Sequence, residues 1–213
     1  MSSADETRQL AVLPIKNTVL FPYLLLPLSV GRERSLAAVE AVASSEDKTL
    51  FVVAQKDARV DDASFDQLYT VGTEAVIRRM ERGDNVIQMI VQGTRRMELI
   101  EPGQTAPYLQ ARVRALPEPT DTGTEIDALS RALADLAGRI QALAQPETPA
   151  NITQILAQFK DPLHQAYLLA SMLSLDLEKE QQLLESNTRL EALRLVHEFM
   201  THEVQIAELR QKI

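Results

Sequence analysis

The chain has 213 residues, contains no cysteine, and carries a formal net charge of −8 at pH 7. This length suits one large domain or two small ones. The missing cysteines exclude disulfide bridges, thiolate metal ligands and thiol nucleophiles. Residues 1–119 hold 14 basic and 16 acidic side chains, whereas residues 120–213 hold 8 and 14. Neither part has the basic excess that is typical of a nucleic-acid-binding protein.

The first ten residues, MSSADETRQL, lack the basic start and the apolar stretch of a secretory signal. The longest apolar run in the chain is too short, and too interrupted by proline, to cross a bilayer. We therefore expect a cytoplasmic protein without a membrane partner.

Residues 10–30 hold two apolar runs on either side of a polar turn at residues 16–18. Pro22 and Pro27 interrupt the second run. Each proline removes an amide donor, which excludes a regular helix interior and a central strand. The pattern predicts a first strand near residues 9–15 and a second, bent strand near residues 23–30.

The rest of the first half reads as one helix and four more strands. Residues 85–100 and 108–116 alternate apolar and polar side chains, whereas residues 49–54 form a continuous apolar run typical of a buried strand. Gly93 interrupts its strand and predicts a bulge or bend. The predicted bounds are a helix over 32–43 and strands over 49–54, 70–82, 85–100 and 108–116.

The composition changes after residue 117, and no strand pattern follows. Residues 118–123 read as a linker between a domain over 1–117 and a helical bundle over 124–213. Asp161 followed by Pro162 is a helix start signal, and Asn151 could cap a shorter helix. The predicted helices cover 124–144, ending before Pro146 and Pro149, then 151–159 and 162–174. A further short helix starts at Ser174 or Asp176 and ends at 185, and the last helix starts at Asn187 or Thr188 and reaches 213.

The last predicted helix is long and has two apolar stripes. One stripe contains Phe199, Ile206 and Leu209 with His202, and the other runs beside it from Leu193. Because no residue of this helix signals its end, we expect the chain to be part of a longer protein. An assembly role predicts that Phe199, Ile206 and Leu209 contact other copies.

Several motifs occur in a fixed order along the first hundred residues. They are LP at 13–14, FP at 21–22, PLSVGRE at 27–33, VAQKD at 53–57, LYTVGT at 68–73 and VQGTRR at 91–96. In this order they resemble the N-terminal, substrate-recognition domain of bacterial Lon-type ATP-dependent proteases. The resemblance continues more weakly into the helical half.

The resemblance implies an α+β fold, with a PUA-like, mostly antiparallel β-domain followed by an all-α bundle that ends in a long helix. It also implies a non-catalytic role, which is to bind unfolded or damaged proteins for a downstream ATPase and protease ring. ATP, Mg²⁺, a Ser-Lys peptidase site and a hexamer are expected only of the full-length parent. The alternative functions are an oligomerisation or spacer module and a PUA-like RNA-binding module.

The residues offer little that is typical of catalysis. His197 and His202 are five apart, so their rings diverge by about 140° on a helix and do not face one metal as a zinc-protease pair does. The seven glycines form neither the Walker spacing nor the dinucleotide fingerprint. We therefore expect no catalytic residue, cofactor or metal in this chain.

Two clusters remain as candidate binding sites. Residues 21–26 hold more large apolar side chains than one strand face can bury, and methionines on the neighbouring hairpin are able to extend such a surface. The alternative is that all of them are core. The predicted substrate-binding patch contains Phe21, Pro22, Tyr23, Leu24, Met80 and Met89. The second cluster, which underlies the RNA alternative, contains Arg78, Arg79, Arg82, Arg95 and Arg96.

Overall fold

A computed structural model describes residues 7–144 and 152–213. These residues form two compact units. The first contains residues 7–118 and Asp176–Glu185, and the second contains residues 119–144, 152–175 and Ser186–Ile213. The predicted helix cap at Asn151 and the predicted helix end at Pro146 and Pro149 lie outside the described residues.

The first unit is built on six strands and a helix whose bounds lie within two residues of the predicted ones. Several strand boundaries fall next to a proline, a glycine or a charged turn, as the sequence indicates. The elements are β1 Thr7–Ile15, β2 Leu25–Val30, α1 Glu33–Ala43, β3 Thr49–Ala54, β4 Val71–Gly83, β5 Val86–Pro102 and β6 Gln110–Ala115.

The six strands form one mixed sheet in the order β2-β5-β4-β3-β1-β6. Strands β1 and β3 are parallel, because β2 and α1 provide the crossover between them, and the other pairs are antiparallel. Strand β5 is 17 residues long, pairing with β2 near its start and with β6 near its end. The sheet therefore closes into a barrel and leaves β2 as an edge strand. The predicted mostly antiparallel β-domain is confirmed.

Both faces of β1 and β3 are buried. Leu13 and Ile15 face an apolar cluster that α1 covers, while Leu10 and Val12 face a second cluster. A strand buried on both faces does not alternate, which explains the continuous apolar run of β3. The bulge predicted at Gly93 is also confirmed, since the β4–β5 register shifts beside it.

Arg32, which belongs to one sequence motif, hydrogen-bonds to residues of two others. Its guanidinium donates to the Pro14 carbonyl at 2.6 Å and to the side-chain oxygen of Gln55. Gln55 is fully buried, and its amide donates to the carbonyls of Asp57 and Val60 at 3.2 and 2.9 Å. Burial lowers the pKa of Arg32 from its usual value. These hydrogen bonds connect the LP, PLSVGRE and VAQKD motifs to one another.

Helix α5, Leu177–Glu185, belongs to the first unit although it comes from the helical part of the sequence. Gln181 donates to the Val71 carbonyl at 3.0 Å. The buried Arg96 guanidinium donates to the carbonyls of Leu184 and Pro117 at 3.0 and 3.1 Å. The last carbonyls of a helix have no partner within the helix, so Arg96 caps the end of α5.

The side chain of Glu180 makes the stability of this unit depend on pH. Glu180 is 8% exposed, and burial together with the Asp176 carboxylate raises its pKa to about 7. Below about pH 4.5 Glu180 is protonated in both the folded and the unfolded chain, so it does not lower the free energy of unfolding. As pH rises towards 7 and above, Glu180 lowers the free energy of unfolding by up to about 3 kcal/mol.

We therefore expect unfolding of the wild-type protein to become easier between pH 5 and pH 8. The free energy of unfolding of Glu180→Gln should equal that of wild type at pH 4 and exceed it by about 1–3 kcal/mol at pH 8. Glu185, whose pKa burial also raises, retains part of the slope. The exposed Glu178→Gln is the control. Equal pH slopes for wild type and Glu180→Gln in urea titrations would contradict the assignment.

The second unit consists of four helices: α2 Thr124–Ala144, α3 Ile152–Ala157, α4 Pro162–Met172 and α6 Arg189–Lys212. The Asp161 carboxylate accepts from the Leu163 amide at 2.9 Å, with Pro162 in the first turn, so the predicted start of α4 is confirmed. Thr188 caps α6 in the same way, accepting from the Glu191 amide at 3.0 Å. None of the described helices is both long and apolar enough to cross a membrane.

Candidate functional site

The chain enters β2 through a tight turn at Phe21-Pro22-Tyr23-Leu24. The Leu24 amide donates to the Phe21 carbonyl at 3.3 Å, and Tyr23 has φ 71°, as expected for the third residue of a type II turn. Glycine or asparagine usually holds this position, and a bulky side chain there costs roughly 1–2 kcal/mol. The structure therefore holds Tyr23 in a costly conformation.

Strand β5 anchors this turn at Gly93. Tyr23 donates its amide to the Gly93 carbonyl at 2.9 Å, and the Gly93 amide donates to Leu24 at 3.0 Å. A Cβ atom on Gly93 would lie 2.6 Å from the Phe21 carbonyl oxygen. The glycine lets the turn approach the sheet closely, which fixes the position of Tyr23.

The turn and β2 leave a row of apolar side chains open to solvent. Leu25 is 60% exposed and Tyr23 is 37% exposed. Leu24 is half-buried, and Pro27 is exposed beside its cross-strand partner Ile90. We call Tyr23, Leu24, Leu25 and Pro27 the β2 surface.

The structure places only two of the six predicted patch residues, Tyr23 and Leu24, on this surface. Phe21 and Pro22 are buried, because the turn sinks onto β4 and β5 where Gly93 has no side chain. Met89 is buried opposite Leu28, and Met80 packs against the same core. The predicted six-residue patch is therefore not formed. Leu25 and Pro27, which the prediction omitted, are both exposed, and Leu25 is more exposed than any residue of the predicted patch.

The arginine cluster is largely neutralised. Arg82 pairs with Glu40 at 2.9 Å, and Arg95 pairs with the buried Glu74 at 3.3 Å. Arg78 binds the side chain of Gln92, Arg79 lies 3.6 Å from Glu81, and Arg96 is buried under α5. RNA binding needs cationic side chains that reach phosphates, and four of these five are either buried or lie beside a carboxylate that lowers the local positive potential. The arrangement does not favour the RNA alternative.

Helix α6 turns inward most of the stripe that runs from Leu193, together with Phe199 from the stripe that contains the assembly residues. The buried side includes Leu193, Val196, Met200 and Val204, because α2 and α4 both pack on that side. His202, expected on a packing stripe, is exposed instead.

Only one of the three predicted assembly residues is well exposed. Phe199 is buried inside the second unit, and Ile206 is half-buried. Leu209 is 61% exposed. Of these three residues, Leu209 at the end of α6 is therefore the most accessible to another copy.

A closed mixed barrel followed by helices is the fold of the N-terminal domains of Lon proteases. The N-terminal domain of the Mycobacterium avium complex Lon protease matches with a TM-score of 0.75 and 21% identity, covering 91% of this chain and 98% of that one. A Lon N-terminal domain protein from Xanthomonas campestris matches at 0.61 and 18%, with the same coverage. At these identities the likeness shows the fold alone.

The sequence defines the family. A model described as the ATP-dependent protease La (LON) substrate-binding domain matches residues 9–202, so this chain belongs to the Lon substrate-binding domain family. It is 50% identical to the Lon protease of Nitrosococcus oceani over 98% of its own length and 27% of that protein. It is 34% identical to Lon protease 2 of Myxococcus xanthus over 100% of its own length and 26% of that protein. The chain thus spans about a quarter of the length of these curated relatives.

Proposed function

We propose that this chain is the substrate-recognition region of a cytoplasmic, ATP-dependent Lon-type serine protease. It binds unfolded or damaged proteins through exposed apolar residues and delivers them to the ATPase and protease ring of the longer parent. The family and the names of its relatives support the class of ligand. The observation that carries the apolar mode of binding is the β2 surface, where Leu25 is 60% exposed on an edge strand.

The size of this surface implies weak binding. Covering about 300 Å² of apolar area contributes about 7 kcal/mol before costs. Ordering a flexible chain and losing its free motion offset much of this. We expect micromolar or weaker affinity for one copy, with tighter binding when several copies in a ring hold one substrate.

Leu25→Ser is expected to weaken binding of a permanently unfolded, carboxymethylated protein by about 5- to 20-fold, since an exposed leucine that becomes buried contributes about 1–2 kcal/mol. Leu209→Ser is the matched control, because its side chain is equally exposed on α6. Fluorescence anisotropy measures affinity, and thermal unfolding checks the fold. Equal affinity of Leu25→Ser and wild type would refute the role of the β2 surface.

Leu209 also supports a second candidate function, which is assembly through the end of α6. This role predicts that Leu209→Ser shifts the sedimentation profile of the chain towards smaller species while substrate affinity per chain stays unchanged. Leu25→Ser should leave the profile unchanged. The two variants thus separate recognition from assembly.

A further inference from the structure

A groove of about 350 Å³ opens beside the β2 surface, between the end of β1, strand β2 and the start of α1. Its apolar walls are Leu13, Ile15, Leu28 and Val30. Lys16, Ser29, Arg32 and Ser35 supply polar groups at its margin. This volume is at the lower end of small-ligand pockets, so it suits one or two residues rather than a long segment.

The N-terminus of α1 meets this groove without a cap. Arg32 occupies the capping position with extended backbone, and its side chain makes no capping hydrogen bond. The first intrahelical bond comes from the Leu36 amide, so the amides of residues 33–35 precede the helical ladder. Such amides, with the positive end of the helix dipole, favour a carboxylate or another anion.

Ser35 is a second and independent sign of a ligand. It lines the groove and is only 6% exposed, and no hydrogen bond joins its hydroxyl to the residues that the structure describes. The hydroxyl is not among the fully buried polar atoms that lack a partner, so it stays accessible to water or a ligand. The free hydroxyl next to uncapped amides is a donor set for an oxygen acceptor.

Among the charged groups around the groove, Lys16 is able to exchange its carboxylate partner for a bound anion. Lys16 pairs at 3.1 Å with Asp61, whose carboxylate is almost fully exposed. An exposed ion pair of this kind contributes little, so Lys16 can turn to an incoming anion at small cost. Arg34 binds Asp62, and Glu33 lies in the first turn of α1. The acidic neighbours keep affinity modest and disfavour highly charged anions such as phosphate.

We propose that this groove binds the C-terminal end of a polypeptide whose last residue is apolar. The terminal carboxylate accepts from the α1 amides and the Ser35 hydroxyl, with Lys16 beside it, and the last side chain lies against Leu13 and Leu28. A chain end carries both groups on one residue, which an internal acidic residue does not. The inference rests on the proposed function, since it names the part of a substrate that this second site takes.

The test uses two synthetic peptides, acetyl-Gly-Ser-Gly-Ala-Leu-Leu with a free carboxylate and the same peptide with a C-terminal amide. Each is titrated into the ¹⁵N-labelled chain while amide chemical shifts are followed. We expect the acid to shift residues 31–35 and to bind at least 5-fold more tightly than the amide. Lys16→Gln and Ser35→Ala should each weaken the acid about 3- to 10-fold, and the exposed Lys56→Gln should not.

The outcomes separate the two proposals. Equal binding of both peptides, or shifts that leave residues 31–35 unchanged, overturns carboxylate capture. Shifts at residues 23–27 with both peptides would then support the β2 surface alone. An unchanged affinity in both Lys16→Gln and Ser35→Ala, with native spectra, also overturns the assignment.

Discussion

Replacing Arg96 with methionine is expected to lower the free energy of unfolding by about 3–5 kcal/mol. The guanidinium is buried and donates to the carbonyls of Leu184 and Pro117. Methionine fills similar space but leaves these carbonyls without the charged donor. Because Leu184 is near the end of α5, amide hydrogen exchange over residues 177–185 should accelerate more than exchange in β1 or β3.

Arg78→Met is the control for this prediction, since Arg78 lies on the exposed side of the same β4–β5 hairpin and binds only the Gln92 side chain there. It should change stability by less than about 0.5 kcal/mol. Arg96→Lys, which keeps the charge but loses the planar pair of donors, should fall between the two. A loss below 1 kcal/mol for Arg96→Met in urea unfolding would show that α5 docks without this cap.

Gly72→Ala is expected to destabilise the first unit by about 3 kcal/mol. A Cβ atom at Gly72 would lie 2.4 Å from the Val52 carbonyl oxygen and 2.7 Å from the Phe51 ring. Both neighbours belong to the fully buried strand β3, so neither moves easily. Chemical denaturation followed by circular dichroism measures the loss.

Gly138→Ala provides the opposite expectation on the same chain. Gly138 lies inside α2, and a Cβ there meets no atom within 4 Å. Alanine has the higher helix propensity, so this variant should gain about 0.5–1 kcal/mol. A Gly72→Ala variant as stable as wild type would contradict the close packing at Gly72.

The family motifs predicted the fold well because most of them describe backbone constraints. Gly72 and Gly93 are glycines because a neighbouring strand or turn approaches them closely. Arg32 and Gln55 join chain segments, and Arg96 caps a helix. Each such requirement restricts a position to one residue type and so leaves a recognisable residue in the sequence.

The exposed apolar residues were harder to predict because exposure depends on contacts distant in sequence. Phe21 and Leu25 are equally apolar in the printed chain, and only the close approach at Gly93 buries the first. Similarly, His202 and Met200 are two residues apart on α6, and the packing of α2 and α4 decides which turns inward. The docking of α5 on the barrel had no sequence signal, since its partners lie on β4 and β5.

Pro27 limits the pairing of further strands with the open edge of β2. The Gly93 amide donates to the Leu24 carbonyl, and the direction of the backbone groups alternates along an antiparallel strand. The backbone groups of Leu26 and Leu28 therefore point towards β5, whereas those of Pro27 point outward. Proline has no amide hydrogen. A further strand that paired with this edge would therefore lack one hydrogen bond in the middle of the ladder. If the β2 surface binds unfolded chains as proposed, this gap keeps it from seeding their growth into an extended cross-β aggregate.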